Sequence, residues 1–277
     1  PDEFAPKVKA MFASYPGGTE TLDFVESQNI ITTYNKYTDE YSLFNEVRRY
    51  RPGYMERLGP EKEKELHNAI MENQGADKCD FCSKTRTAED IFGRVKGTHC
   101  FTASNVAKYE AWHGLLISNE HDPLHVTPDM LVDYMQVAHK WFEKAHGIDN
   151  EAVFPHLMWD AGPRASASQI HQHMQISLTH DRYYTRTENT RRAAVAYETQ
   201  FEGRNYWTDV LAVHDQLGLA VRHGEAMLIS HMCPIKEREL IVVAETSRTD
   251  AFAQLLAVAI KAMKDDVGTR AFSQGRR

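Results

Sequence analysis

One short segment constrains this chain more than any other: Ser168-Gln-Ile-His171-Gln-His173-Met-Gln175-Ile-Ser-Leu178. Read as a strand from Gln169 to Leu178, it alternates between two faces. His171, His173 and Gln175 project from one side, and Gln172, Met174 and Ile176 from the other. Packing gives little reason to align two imidazoles and a carboxamide, so that face is expected to carry chemistry. The preceding stretch, Asp160-Ala-Gly-Pro-Arg-Ala-Ser-Ala-Ser168, is built from small residues. Gly162, Ser166, Ala167 and Ser168 lack bulk, so backbone N–H groups can approach a phosphate, while Arg164 and the Ser168 hydroxyl add donors.

The chemistry open to such a row is nucleophilic. A neutral imidazole nitrogen attacks phosphorus, and a neighbouring group fixes its tautomer. An uncharged amide donates to a phosphoryl oxygen without repelling it.

Composition sets the class around this segment. The chain has 277 residues, 42% hydrophobic and 26% charged, with a formal charge of −7. That is enough to bury a core unaided, and the sign argues against a protein whose main work is holding a nucleic-acid backbone. No basic, aromatic-rich stripe points to nucleic acid either. No run approaches the roughly 18 apolar residues needed to span a bilayer. The amino terminus lacks a basic region followed by an apolar run, so a cytoplasmic protein is expected. Pro1 in place of Met fits a trimmed chain or part of a longer one. Four cysteines are too few for a disulfide framework and suit a reducing compartment.

Along the chain, residues 1–60 read as an arm with short strands, partly basic, in which Arg48, Arg49 and Arg51 are possible phosphate binders. A charged helix from Pro60 leads to Cys79-Asp-Phe-Cys82. The pattern then sharpens into a strand at His99–Ala103, a loop from Asn105 to Trp112 and a strand at Gly114–Ser118. Thr127-Pro128 opens a helix with Leu131, Tyr134, Met135, Ala138, Trp141, Phe142 and Ala145 on one face, stopping near Gly147. A strand at Val153–Trp159 follows, then the small-residue loop and the histidine strand. After a polar helix from Arg182 to about Phe201, strands at 225–230 and 239–244 and a helix carrying Phe252, Leu255, Leu256, Ala259 and Met263 echo that order. The echo suggests an internal duplication whose second copy lacks the histidines. With no Gly/Ser linker, one continuous α+β unit over 1–277 is expected.

The run from Asp160 to Gln175 resembles the signature of the histidine-triad superfamily. There an Asn, a Gly two residues on and a second Gly six residues on precede the first motif histidine; here those places hold Asp160, Gly162, Ser166 and His171. Gln175 in place of the third histidine resembles the transferase branch, which comprises galactose-1-phosphate uridylyltransferases, dinucleoside polyphosphate phosphorylases and nucleoside-diphosphate-hexose phosphorylases. Asp160 and Ser166 depart from the family's Asn and Gly. The resemblance implies two related halves around an antiparallel sheet flanked by helices, residues 79–200 forming the catalytic half and 201–277 a half without the motif. It also implies a homodimer.

Cys79 and Cys82 have the spacing of a metal knuckle, which needs two further ligands. Uridylyltransferases of this kind carry a zinc on such a pair, on a histidine after a strand and on the first motif histidine. His121 and His171 match those places, although spacing alone does not separate His121 from His113 or His125. A closed tetrahedral set makes the zinc structural.

The function so implied is that of a nucleotidyltransferase. His173 attacks a nucleoside diphosphate sugar or a dinucleotide, and a sugar phosphate or phosphate accepts the nucleotidyl group. Gln175, Ser168 and the neighbouring loop stabilise the phosphoryl charge, with Asp160, Gly162, Arg164, Ser166, Ala167 and Gln169 lining the substrate. The rival readings are a nucleotide-binding regulatory protein without turnover and a zinc-dependent hydrolase, which needs an open metal position.

Overall fold

The structure is a computed structural model; it describes residues 4–12, 16, 21–34, 41–50, 60–72, 74–75, 77–162, 165, 167, 169–234 and 238–276. Two compact units are formed. The first takes in Pro1–His125, Val137–Tyr183 and Arg270–Arg277, the second Val126–Gln136 and Tyr184–Thr269. This differs from the expected continuous unit with a second half opening at 201: the polar helix groups with the second unit, and the chain's last strand with the first.

In the first unit the arm is more helical than its sequence suggests. α1 (Phe4–Met11) and α2 (Thr21–Glu26) precede a hairpin of β1 (Ile30–Tyr34) and β2 (Tyr41–Asn45). Tertiary packing decides this, because Val8, Phe12, Val25, Val47 and Ala107 form one buried cluster. α3 (Pro60–Met71) runs as its Pro-first, charged sequence predicts.

The centre of this unit is a five-stranded antiparallel sheet. Its strands are β3 (Cys100–Ser104), β4 (Trp112–Ser118), β5 (Phe154–Ala161), β6 (His173–Thr179) and β10 (Phe272–Arg276), in the order β10-β5-β6-β4-β3. β6 pairs with β4 on one side and β5 on the other, with Leu115 and Met158 opposite Gln175. One face therefore gathers His173 and Gln175 with Leu115, Ile117, Phe101 and Ala103, and Phe81 packs on that apolar group. Helix α4 (Pro128–Ile148) runs one residue past Gly147, and Trp141 packs against the sheet at Gly114. A Cβ on Gly114 would come within 3.0 Å of that indole, closer than packed side chains approach. The Trp141 indole N–H also donates to Asp90 Oδ2 at 2.8 Å.

β6 starts at His173 and not at Gln169. The residues before it pair with the turn after β4: Ser118 N–H donates to the Gln172 carbonyl at 3.0 Å, and Gln172 N–H to the His121 carbonyl at 3.3 Å. His171 thus stands outside the regular strand, next to His121.

The second unit contains α5 (Thr185–Gln200), α6 (Tyr206–Gln216) and a separate antiparallel sheet of β7 (Ala220–His223), β8 (Ala226–Ser230) and β9 (Leu240–Val243). Strands β7, β8 and β9 therefore build a sheet of their own, whereas β10 joins the first. Gly224, at φ +55°, makes the tight turn between β7 and β8 that a side chain resists. α7 (Asp250–Asp265) is capped by the Thr249 hydroxyl, which accepts from Phe252 N–H at 3.3 Å. Its Ala251, Leu255 and Ala259 pack on Ala226 and Leu228.

Candidate active site and metal centre

The knuckle brings Cys79 and Cys82 against His121 and His171, with all four ligand atoms within 4.8 Å of one another. His121 Nδ1 is 3.1 Å from His171 Nδ1. Cys82 Sγ is 3.3 Å and 3.4 Å from the His121 and His171 Nδ1 atoms, and Cys79 Sγ is 3.6 Å from His171 Nδ1. Tetrahedral zinc with ordinary Zn–S and Zn–N bonds has N···N edges of about 3.3 Å and N···S edges of about 3.5 Å. The four side chains could thus hold such an ion without rearrangement. The other two candidates lie elsewhere. His125 pairs with Glu120 at 2.8 Å, and His113 turns toward Gln175.

Hydrogen bonds set the protonation of the two motif histidines. A carbonyl only accepts, so the 2.8 Å contact of His171 Nε2 with the Ser118 carbonyl places the proton on Nε2 and the lone pair on Nδ1, facing the cysteines. Burial holds the His171 imidazole down to about 4, keeping it neutral and able to ligate. Burial likewise pushes the Cys79 thiol up, a cost that a bound dication reverses. His173 has the opposite tautomer. Its Nδ1–H donates to the His171 carbonyl at 2.9 Å, leaving the lone pair on Nε2.

His173 and Gln175 open onto a cleft with Gln169, Phe81, Arg86 and Asn105 along its walls. Phe81, between the two knuckle cysteines, sets its ring edge-on to His173 at 5.1 Å and to His171 at 5.9 Å. A quadrupolar ring favours such edge contacts, and here one ring braces both histidines. Arg86, which no motif in the sequence singles out, is a cleft cation. It donates to the Asp77 carbonyl at 3.3 Å and lies 3.8 Å from Asp80. Asn105 and His113 also join the site through Gln175; nothing in the sequence context marks Asn105, and His113 stands there only as a rival of His121 for the metal.

The small-residue loop is partly in view. Asp160 is on β5, opposite Ser273 of β10. Gly162 has φ +83°, and a Cβ there would stand 2.7 Å from the Arg270 carbonyl. Its own carbonyl accepts from Ala165 N–H at 3.1 Å and Ala167 N–H at 3.4 Å. Ala167 is buried. Asp160, Gly162 and Ala167 are not among the residues lining the cleft, and Arg164, Ser166 and Ser168 lie outside the described residues. Of the arm arginines, Arg48 donates to the Ala107 carbonyl at 3.0 Å and covers the Tyr109 ring, a structural role. Arg51 and the Arg49 side chain are outside the described residues.

A uridylyltransferase structure superposes with a TM-score of 0.62 at 12% identity, covering 88% of this chain and 79% of that one. The chain shares the fold of that uridylyltransferase. An ADP-glucose phosphorylase from Arabidopsis thaliana, solved with bound ADP-glucose, shares this fold at a TM-score of 0.54 and 10% identity, over 88% and 81% of the two chains. A GalT-like protein from Arabidopsis thaliana gives 0.58 at 12% identity, over 71% and 73%. No protein-family model matches the chain, and no curated protein matches its sequence. Among the described residues no helix is long and apolar enough to cross a membrane.

Proposed function

We propose that this chain is a nucleotidyltransferase working through a covalent nucleotidyl-histidine on His173. The observation that carries the reading is the tautomer of His173: its proton is committed to a main-chain carbonyl at Nδ1, so Nε2 holds a lone pair at the cleft beside an amide. Solved proteins of this fold include a uridylyltransferase and an ADP-glucose phosphorylase, which supports a nucleoside diphosphate sugar as donor and a sugar phosphate or phosphate as acceptor.

In the first half-reaction the Nε2 lone pair forms a bond to the α-phosphorus, and the bond from that phosphorus to the bridging oxygen breaks. The sugar 1-phosphate leaves with the electron pair. The imidazolium so formed keeps its Nδ1 proton on the His171 carbonyl. In the second half a phosphate oxygen of the acceptor attacks the same phosphorus and His173 leaves. Gln175 Nε2 donates to the phosphoryl oxygens, where charge is greatest, and Arg86 supplies a positive field in the cleft. Cys79, Cys82, His121 and His171 would hold a zinc. With all four positions filled by protein, its part is to fix the knuckle and the His171 carbonyl.

Labelled UDP-glucose and ADP-glucose, incubated with the protein and quenched in denaturant, should leave label on the wild type and none on His173→Ala. Tight nucleotide binding with no label on the wild type would favour the binding protein without turnover. Full turnover by His173→Ala would sink the proposal.

A further inference from the structure

Gln175 has two unlike ends, and only one can help. Its Nε2 hydrogens attract a phosphoryl oxygen, whereas its Oε1 repels one. A terminal amide torsion is broad and roughly two-fold, so an unguided Gln175 would present either end. In the structure Oε1 is taken: His113 Nε2 is 2.7 Å from it and Asn105 Nδ2 donates to it at 3.0 Å. The polarity of both partners is in turn set by main-chain N–H groups of one loop. Tyr109 N–H donates to His113 Nδ1 at 3.2 Å, so the His113 proton is on Nε2. Ala107 N–H donates to Asn105 Oδ1 at 2.9 Å, turning the Asn105 amide nitrogen toward Gln175.

We infer that His113 is a positioning residue that locks the Gln175 amide with its nitrogen toward the cleft; this rests on the function proposed above. His113 is 0% exposed and is not among the residues lining the cleft, so it acts through Gln175 and not on substrate. Its own position is fixed three ways. The Tyr109 ring lies 3.7 Å from the imidazole ring centre, Arg48 covers that tyrosine, and Lys108 Nζ donates to the His113 carbonyl at 2.9 Å. An oriented donor held in this way acts without reorganising during the reaction.

Two measurements test this. Nitrogen NMR on histidine-labelled wild-type protein should find the His113 proton on Nε2; a proton on Nδ1 overturns the inference whatever the activity. In transfer kinetics His113→Leu should lower kcat about 10- to 100-fold, the usual cost of losing a buried orienting partner, with KM changed less than about twofold. His113→Gln, which can place an amide N–H near the Nε2 position, should recover most of the loss. In a Gln175→Ala background His113→Leu should have no further effect. Equal losses in both His113 variants, or the full loss persisting without Gln175, would mark His113 as packing only and overturn the inference. A wild type that labels with no nucleotide fails the proposed function instead, and the tautomer measurement still decides this one.

Discussion

The metal knuckle and the cleft meet at two histidines separated by a single residue, Gln172, and those histidines are wired in opposite senses. His171 gives its Nε2 proton to the Ser118 carbonyl and turns Nδ1 to the cysteines. His173 gives its Nδ1 proton to the His171 carbonyl and keeps Nε2 for the cleft. The choice of main-chain acceptor thus leaves the same side chain with a lone pair on Nδ1 in one place and on Nε2 in the other, which suits the ligand and the nucleophile of the proposed function. Four side chains that could hold a metal converge at the knuckle, while His173 and Gln175 line a cleft. The difference teaches that the tautomer of each imidazole resides in its hydrogen-bond partner and not in its residue type.

The largest expected effect tests the cleft side. His173→Ala should lower transfer by about a thousandfold or more while leaving the thermal unfolding midpoint and metal content unchanged. Metal loss along with activity would show that the two regions do not divide the work. On the knuckle side, Cys82→Ala should strip the metal and cost several kcal/mol of stability, as structural metal binding is coupled to folding. Metal analysis with thermal unfolding checks it. A variant that loses activity but keeps its unfolding midpoint would make the metal catalytic.

A third imidazole on the same sheet sharpens the contrast, because it serves neither region. His156 is buried beside Thr179 and the Tyr183 ring, and burial holds it down to about 4 from the ordinary 6.5. The unfolded chain takes up this proton first. Stability is therefore full above pH 6.5 and falls as pH drops toward about 4, by at most about 3 kcal/mol from this residue. Denaturant titrations at pH 7 and pH 4.5 should show the fall, and His156→Gln should flatten it. An unchanged slope in that variant would assign the acid sensitivity elsewhere.

The smallest effect concerns the loop. Gly162→Ala should destabilise by about 1–2 kcal/mol, because its φ is positive and a Cβ would meet the Arg270 carbonyl at 2.7 Å. A neutral result in chemical denaturation would mean that the β5–β10 junction yields easily.

Much of the site is legible in the amino-acid sequence because its chemistry is dense at short spacing. A Cys-x-x-Cys pair and a His-x-His-x-Gln row are hard to produce by packing, and the helix at Pro128 is marked by a Thr cap, a Pro and an apolar stripe. His121 cannot be told from His113 and His125 by spacing, since all three flank the same strand. The strand register separates them, directing His113 down to Gln175 while His121 follows the chain past Ser118 to the cysteines. β10 escapes the sequence pattern for a related reason. Phe272-Ser-Gln-Gly-Arg276 has no apolar alternation of its own, and it is a strand because it pairs with β5.

The sequence by itself determined the α+β class, the pair of cysteines and the His-x-His-x-Gln row, since local periodicity and motif spacing are properties of neighbours along the chain. Only the tertiary structure decided which histidine joins the cysteines and where β6 begins. It alone also set which nitrogen of each imidazole holds a proton and which end of Gln175 faces the cleft. Those choices are made by carbonyl and N–H groups from strands and loops far away in sequence, and a hydrogen bond acts only once folding has brought its two ends together.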